Sequence, residues 1–359
     1  MRFEVSRVLD AIERQLSTDP VVARGVVDLA EVIRLADLDG GRPASLLRLG
    51  QVIDALARHL GEDGVAVYVV VGRPLLSDAE LSSNERMVIR RWADDGLVEA
   101  LPEAGNRVFE VAELTGLPVL TRRDPGRWLA PKPGSGGAVL VGTAGIGVAS
   151  QHPMLSRLWR CPQPECAAFG RPTGQPPPLL RAGVPTCPRH GHRLTDAGPR
   201  PPAVPMVVRV DGVVRQRFAV TERPLVVGRD PTEPDSVRIG PWLNDEQLHW
   251  ISRSHLVVEL TPTGVELTDT STNGTVVHLR ADPQGQIDPH QIDPHQIDPH
   301  QGDTVRLSRG ERRVLGEHEV AELYDGVQVA RPGRWRADGP AQPGSVMADA
   351  PTMALRLLR

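Results

Sequence analysis

The chain is poor in aromatic residues and in cysteine, and it has neither a long apolar run nor a large excess of one charge. Aromatic side chains make up only 3% of its 359 residues, so the core must be built from Val, Leu, Ile and Ala. Apolar runs such as Val65–Val71 are far shorter than a bilayer span requires. The net charge of −4 excludes binding to nucleic acid by bulk charge alone. The N-terminus lacks the pattern of a signal peptide, which predicts a cytoplasmic protein that does not associate with a membrane.

Glycine and proline are abundant, at 35 and 34 residues, which indicates many turns and linkers. A length of 359 residues is typical of two or three domains. Changes in composition predict an α/β domain over residues 1–150, a small cysteine-containing module over 155–196, a proline-rich linker over 197–204, an all-β domain over 205–325 and a disordered tail over 326–359.

The N-terminal half alternates between strand patterns and helix patterns. Gly25–Asp28, Val65–Val71 and Pro118–Thr121 are short apolar runs, and apolar residues recur at helical spacing between them. The β-branched run Val65–Val71 is typical of a strand that is buried on both faces. The alternation predicts a parallel sheet with helices on both sides.

Four motifs follow one another in the all-β region. They are Gly228-Arg229 after a strand, Ser252-Arg253-Ser254-His255 before a strand, Asp269-Thr270-Ser271-Thr272-Asn273-Gly274-Thr275, and Gly302-Asp303 leading into a last strand. Their order resembles the signature of the forkhead-associated (FHA) domain. The resemblance implies a β-sandwich whose loops at one end bind a phosphothreonine peptide.

The same resemblance implies a role for each loop residue. Arg229 and Ser252 would contact the phosphate, and a guanidinium and a neutral hydroxyl suit a phosphate dianion chemically. The other residues expected in the binding loops are Arg253 and Thr272, which would line them, and Asn273, which would bind the ligand backbone. The residues expected to be structural are Gly228 and Gly274, which allow tight turns, and His255, which braces the loop.

Trp250 lies two positions before Ser252. In FHA domains the neighbouring loops commonly select the third residue after the phosphothreonine. An indole at this point offers a broad apolar surface without positive charge, which predicts a preference for an aliphatic or aromatic ligand residue over an acidic one. The alternative is that Trp250 packs under the loop as a core residue.

The three cysteines are spaced like metal ligands. Cys161 and Cys166 are separated by four residues, and Cys187 precedes His190 by three positions. Two such pairs suit a tetrahedral structural zinc ion held by three thiolates and one imidazole, and the segment resembles a zinc ribbon. His192 is an alternative fourth ligand. The other interpretation is three unrelated buried or free cysteines.

Acidic residues stand at strand ends in the α/β domain. Asp28 ends one predicted strand, and Asp124 follows the strand that ends at Thr121. Ligands of open parallel sheets bind at the carboxyl ends of the strands, where two carboxylates could hold Mg²⁺ or Mn²⁺.

The segments Val26–Arg34 and Pro118–Asp124 resemble parts of the PIN/NYN-type ribonucleases. The resemblance covers roughly Gly25 to Trp128 and implies an RNA endonuclease. It departs from the family pattern at Leu29 and Glu31, and the family's middle acid falls at Gly105 or Asn106. The nearby acids that could replace it are Glu103 and Glu110.

Two interpretations of function therefore remain. The FHA-like module would dock the protein on threonine-phosphorylated partners produced by an upstream Ser/Thr kinase, and the N-terminal domain would be either a ribonuclease that acts on RNA or a non-enzymatic part of an adaptor. The sequence IDPHQ occurs three times in tandem over residues 287–301. Its histidines, His290, His295 and His300, are interpreted as a loop expansion rather than a metal site.

Overall fold

The computed structural model describes residues 2–62, 64–122, 129–134, 137–141, 152–170, 174–233, 236–279 and 304–332. Asp124, the Gly302-Asp303 motif, the IDPHQ repeats and the tail beyond Pro332 lie outside the described residues. The chain forms two compact units, which meet in sequence between Arg200 and Pro201. Among the described residues, none of the helices combines the length and apolar content that crossing a bilayer requires.

The first unit begins with alternating helices and strands. These are α1 (Arg2–Glu13), β1 (Ala23–Asp28), α2 (Leu29–Val32), α3 (Leu47–Leu60), β2 (Ala66–Gly72), α4 (Ser83–Asp94), β3 (Glu99–Leu101), α5 (Arg107–Thr115) and β4 (Val119–Leu120). The four strands form a parallel sheet in the order β3-β2-β1-β4, so the predicted parallel α/β architecture is confirmed. An antiparallel hairpin follows, made of β5 (Ala130–Gly134) and β6 (Gly137–Val141).

Both faces of this sheet are covered. Val67, Val69 and Val71 of β2 lie in one apolar cluster with residues of α1, α3 and α4. Tyr68 and Val70 of the same strand lie in a second cluster with residues of α5. A strand that contributes alternate side chains to two cores must be apolar throughout, which explains the unbroken apolar run Val65–Val71.

The cysteine-containing module belongs to the same compact unit as the sheet. Its strands are β7 (Arg157–Arg160), β8 (Leu179–Arg181), β9 (Val184–Thr186) and β10 (Thr195–Pro199). β7 pairs antiparallel with β10, and β8 forms a hairpin with β9. The interval predicted as a linker from residue 197 to 204 thus contains the end of β10.

A buried arginine links the module to the sheet. Arg107 at the start of α5 is 2% exposed. Its Nη2 and Nη1 donate to the carbonyl oxygens of Pro177 and Pro178 at 2.6 and 3.2 Å, and its Nε donates to Glu99 at 3.0 Å. Burial alone would lower the pKa of this guanidinium, but Glu99, Tyr68 and Glu110 together outweigh burial and raise it. The arginine therefore stays charged while it holds two carbonyl groups of the module.

The second unit is a β-sandwich. Its elements are β11 (Val204–Val210), β12 (Val213–Val220), β13 (Leu225–Gly228), β14 (Ser236–Arg238), α6 (Asp245–Trp250), β15 (Leu256–Thr261), β16 (Gly264–Asp269), β17 (Thr275–His278), β18 (Thr304–Leu307), β19 (Arg312–Val314), β20 (Val320–Tyr324) and β21 (Val327–Ala330). One sheet has the order β12-β11-β21-β20-β17-β18 and the other β14-β13-β15-β16-β19. A single aliphatic core that includes Met206, Val258 and Leu267 lies between them. β21 runs past residue 325, the C-terminal bound predicted from the sequence.

Candidate functional site

Three loops meet at one end of the sandwich. Val227 of β13 pairs with Leu256 of β15, and Leu256 pairs in turn with Asp269 of β16. This register places the end of β13, the loop before β15 and the loop after β16 side by side. All five residues predicted to bind a phosphopeptide lie in these loops.

Gly228 marks the closest approach of two of the loops. A Cβ atom at this position would lie 1.9 Å from the carbonyl oxygen of Arg253. The Cβ atom is fixed by the backbone of β13, and the oxygen is itself a backbone atom. Relieving the clash would therefore require one of the two backbone segments to move. Only glycine allows β13 and the loop before β15 to pack this closely.

We expect Gly228→Ala to lower the free energy of unfolding by about 1–3 kcal/mol, the usual cost of overpacking. Chemical denaturation of the full chain measures the change. Gly316→Ala is the matched control, because a Cβ there would meet only the flexible side chain of Glu319. Equal stability of the two variants would contradict the close approach.

Arg229 is held at the loop junction by its backbone and by one side-chain nitrogen. Its N–H donates to the carbonyl oxygen of Ser252 at 3.1 Å, and its Nη1 donates to the carbonyl oxygen of Leu248 at 2.8 Å. Its Nε is buried and has no hydrogen-bond partner in the described part of the chain. The guanidinium is thus oriented, and it retains donors for an anionic ligand.

Ser252 is positioned by a buried histidine. Its N–H donates to Nδ1 of His255 at 3.2 Å, and His255 is fully buried. Burial lowers the pKa of this imidazole, which favours the neutral ring with Nδ1 as an acceptor. The Ser252 Oγ accepts the N–H of Thr272 at 3.2 Å, so its own proton is available to a ligand.

The loop after β16 is organised by Asp269, a residue to which the sequence motif assigned no role. Its carboxylate is fully buried and accepts hydrogen bonds from the N–H and Oγ of Ser271 and from the Oγ1 of Thr275. Ser271 Oγ in turn accepts the N–H of Gly274 at 2.7 Å, and Gly274 has a positive φ of 82°. The turn is therefore fixed by its own side chains.

The remaining predicted loop residues lie at the rim. Arg253 and Thr272 are exposed, and Asn273 is half-buried. Asn273 Nδ2 donates to the carbonyl oxygen of Trp250 at 2.8 Å, and its own carbonyl oxygen accepts from Nη2 of Arg306. Arg306 of β18, to which the sequence analysis gave no role, adds a second guanidinium to this end of the sandwich.

Trp250 ends α6 and is 42% exposed, so it does not lie in the core. Its ring stacks on that of Tyr324, with centroids 5.6 Å apart and an angle of 4° between the planes. The indole is presented at the surface next to the loops, where a bound peptide could reach it.

The three cysteines and one histidine come together in the first unit. The ligand atoms of Cys161, Cys166, Cys187 and His190 all lie within 4.8 Å of one another. The Cys161 Sγ lies 3.5 Å from the His190 Nδ1, and the Cys166 Sγ lies 3.7 Å from the Cys187 Sγ. Three buried thiols facing one imidazole are a donor set that could hold a metal ion.

The structure also distinguishes the two histidines. The Nδ1 of His190 faces the thiols, whereas His192 contributes its carbonyl oxygen, which accepts the N–H of Cys187 at 2.8 Å. Burial raises the pKa of the Cys187 thiol to about 12. A thiol of this kind stays protonated until a cation displaces the proton.

The acids predicted for the α/β domain have separate surroundings. Asp28 is buried and caps α2 by accepting the N–H groups of Ala30 and Glu31. Glu110 pairs with Arg107 at 3.4 Å, and Glu103 is exposed. Among the described residues, Asp28, Glu103 and Glu110 do not come together as a group that could hold a metal ion.

Glu31 lies where the strand order reverses, between β1 and β4. Its carboxylate accepts hydrogen bonds from the Oγ1 hydroxyl of Thr121 at 2.9 Å and from the N–H of Arg122 at 3.0 Å. This crevice is where open α/β sheets bind ligands. The ribonuclease interpretation, with Mg²⁺ or Mn²⁺ as its metal, stays a prediction, and metal-dependent RNA cleavage that is lost in Asp28→Asn would support it.

No family model matches the chain, and no curated protein matches it. Solved structures similar to it include the MEK1 FHA domain, at 19% identity and a TM-score of 0.24, covering 36% of this chain and 87% of that one. Another is the FHA domain of human APLF in complex with XRCC1 bisphospho peptide, at 13% identity and a TM-score of 0.21, covering 34% of this chain and 97% of that one. A third is Mycobacterium tuberculosis Rv1747 FHA-1, at 22% identity and a TM-score of 0.21, covering 37% of this chain and 99% of that one.

Proposed function

We propose that the second unit is an FHA-type module that docks the protein on threonine-phosphorylated partners, and that a Ser/Thr kinase acts upstream of it. The observation that carries this proposal is the placement of the Arg229 guanidinium and the Ser252 hydroxyl at one loop junction. A phosphate dianion needs charged and neutral donors held in advance in this way. The proposal is common to both interpretations of the N-terminal domain.

The loops favour a rigid recognition site. Asp269 and His255 fix the two loops from within, so that little conformational entropy would be lost when a ligand binds. Charge-assisted hydrogen bonds to a partly buried phosphate are each worth about 1.5–3 kcal/mol. Such a site discriminates a phosphothreonine from the unmodified residue by the phosphate itself.

The direct test is a phosphopeptide library screened against the full chain, followed by titration of the best peptide with and without its phosphate. We expect binding only of the phosphorylated form. Equal affinity for both forms would refute the proposed function.

We also propose that the cysteine cluster holds a structural zinc ion. Cys161, Cys166, Cys187 and His190 would be its four ligands, a complete tetrahedral set. The ion would cross-link the two turns that carry these residues. The small module has few other apolar residues to hold it together, and its cluster centres on Trp159, Phe169 and Leu194.

The exposed indole of Trp250 predicts a ligand preference. We expect a phosphopeptide with Leu at the third position after the phosphothreonine to bind more tightly than one with Asp, because the indole gives apolar contact and no countercharge. The two peptides are titrated into wild-type protein and into Trp250→Arg, which should shift the preference towards Asp. Identical affinities in the wild type would leave Trp250 without a role in selection.

A further inference from the structure

We propose that the surface formed by Glu246, Trp250 and Tyr324, here called the α6 ledge, binds an arginine or lysine side chain of the phosphorylated partner. The inference rests on the proposed function, because the ledge adjoins the loops assigned to the phosphothreonine. It adds a second chemical requirement to the ligand, a cation at a fixed distance from the phosphate.

The aromatic part of the ledge is exposed although the chain has very few aromatic residues. Among the residues that the structure describes, Trp250 is one of five large apolar residues that are exposed. It stacks nearly parallel on Tyr324, and His249 meets it edge-on with centroids 6.1 Å apart. Flat aromatic faces attract guanidinium and ammonium groups through the ring quadrupole.

The polar part of the ledge is acidic. The Tyr324 Oη donates to Oε1 of Glu246 at 2.7 Å, so a carboxylate lies at the edge of the aromatic stack. The hydrogen bond to Glu246 raises the pKa of the phenol, which keeps it a neutral donor. A cation over the stack would meet both the ring face and this carboxylate, whereas an aliphatic side chain would gain only the ring.

Apart from His249, the charged side chains on α6 and on the two turns that it contacts are acidic, whereas Arg229 and Arg306 lie at the loops assigned to the phosphate. Exposed carboxylates come from Asp245 on α6 and from the two turns that α6 contacts, Asp211 between β11 and β12 and Asp325 between β20 and β21. Neither α6 nor these two turns contains Lys or Arg. The region therefore complements a positively charged ligand residue and disfavours an acidic one.

The ledge is held rigidly. Asn244 and Gln247 form a reciprocal capping box at the start of α6. The Gln247 Nε2 also donates to Oδ1 of Asp211 and to the carbonyl oxygen of Asp325, both at 3.2 Å. Because Gln247 is 3% exposed, these bonds fix the short helix on the sandwich before any ligand binds.

The ledge is continuous with the phosphothreonine loops. The carbonyl oxygen of Leu248 accepts from Arg229, and that of Trp250 accepts from Asn273, both at 2.8 Å. One peptide could therefore place its phosphate on Arg229 and a neighbouring basic side chain on the ledge. The paired requirement would distinguish this module's ligands from other phosphothreonine sequences.

The test uses the full chain and a set of phosphothreonine peptides in which one Arg is moved through each of the four positions on either side. We expect one position at which Arg raises affinity over Leu by roughly three-fold to ten-fold, as a cation–π contact with an adjacent carboxylate would give. Glu246→Gln keeps an acceptor for Tyr324 and removes the charge, and Trp250→Ala removes the ring. Both should abolish the gain of Arg over Leu. Glu246→Gln should also leave binding of the Leu peptide nearly unchanged, and the control Glu259→Gln on β15 should keep the gain.

Three results would be decisive. Loss of the Arg gain in both ledge variants supports the inference. Phosphate-dependent binding without an Arg gain at any position overturns the inference and leaves the proposed function in place. Binding that ignores the phosphate overturns the proposed function, and the inference with it.

Discussion

Arg229→Ala should reduce binding of a phosphothreonine peptide by about 100-fold or more, without unfolding the sandwich. The substitution removes the charged donors from the loop junction, and charge-assisted hydrogen bonds are each worth about 1.5–3 kcal/mol. The backbone bond from Arg229 to Ser252 does not depend on the side chain, so the loop should keep its course. Calorimetric titration and a thermal melt measure the two effects separately.

Arg223→Ala is the matched control for this experiment. Arg223 is exposed just before β13, at the opposite end of the strand that leads to Arg229, so its loss changes the net charge equally. Ser252→Ala should weaken binding less, because it removes one neutral hydroxyl. If Arg229→Ala and Arg223→Ala bound the phosphopeptide alike, the phosphate would not lie on Arg229.

Cys187→Ser should lose the metal and unfold the cysteine-containing module. Wild-type protein purified without added metal should contain one zinc ion per chain by elemental analysis, and the variant should contain none. Structural zinc sites contribute on the order of 10 kcal/mol to folding, more than a small cluster of apolar residues can replace. Proteolysis within residues 155–194 reports the local unfolding.

His192→Ala provides the control for this prediction. The His192 ring stacks on the His190 ring with centroids 6.3 Å apart, but its carbonyl oxygen makes the bond to the Cys187 turn. The variant should therefore keep the zinc, whereas His190→Ala should lose it. Full zinc occupancy in Cys187→Ser would show that the ligand set is wrong.

Local patterns predicted much of this structure. The run Val65–Val71 predicted a strand buried on both faces because its β-branched residues alternate between two cores, and the structure has β2 there. The cysteine spacings predicted a cluster because each ligand pair lies within one tight turn, and the four side chains do meet. Both signals are short-range, so one sequence suffices to find them.

Contacts between distant segments were not predictable in this way. Tyr324 stacks on Trp250 only because the turn between β20 and β21 lies beside α6 in the folded sandwich. The anchoring of Pro177 and Pro178 by Arg107 likewise depends on how two parts of the first unit pack. For the acids of the α/β domain, position at a strand end suggested metal ligands, but Asp28 serves as a helix cap, a role that strand-end aspartates often have.

The bonds from Arg107 to the two proline carbonyl groups have a consequence for the whole N-terminal half of the protein. They join the cysteine-containing module to α5 and, through Glu99, to the edge strand of the sheet. A metal ion that binds only the folded cluster would therefore stabilise the sheet by mass action, in proportion to the logarithm of its free concentration. The melting temperature of the α/β domain, which contains no cysteine, should then rise with the free zinc concentration. A chelator should lower this melting temperature although the domain itself holds none of the cysteine ligands.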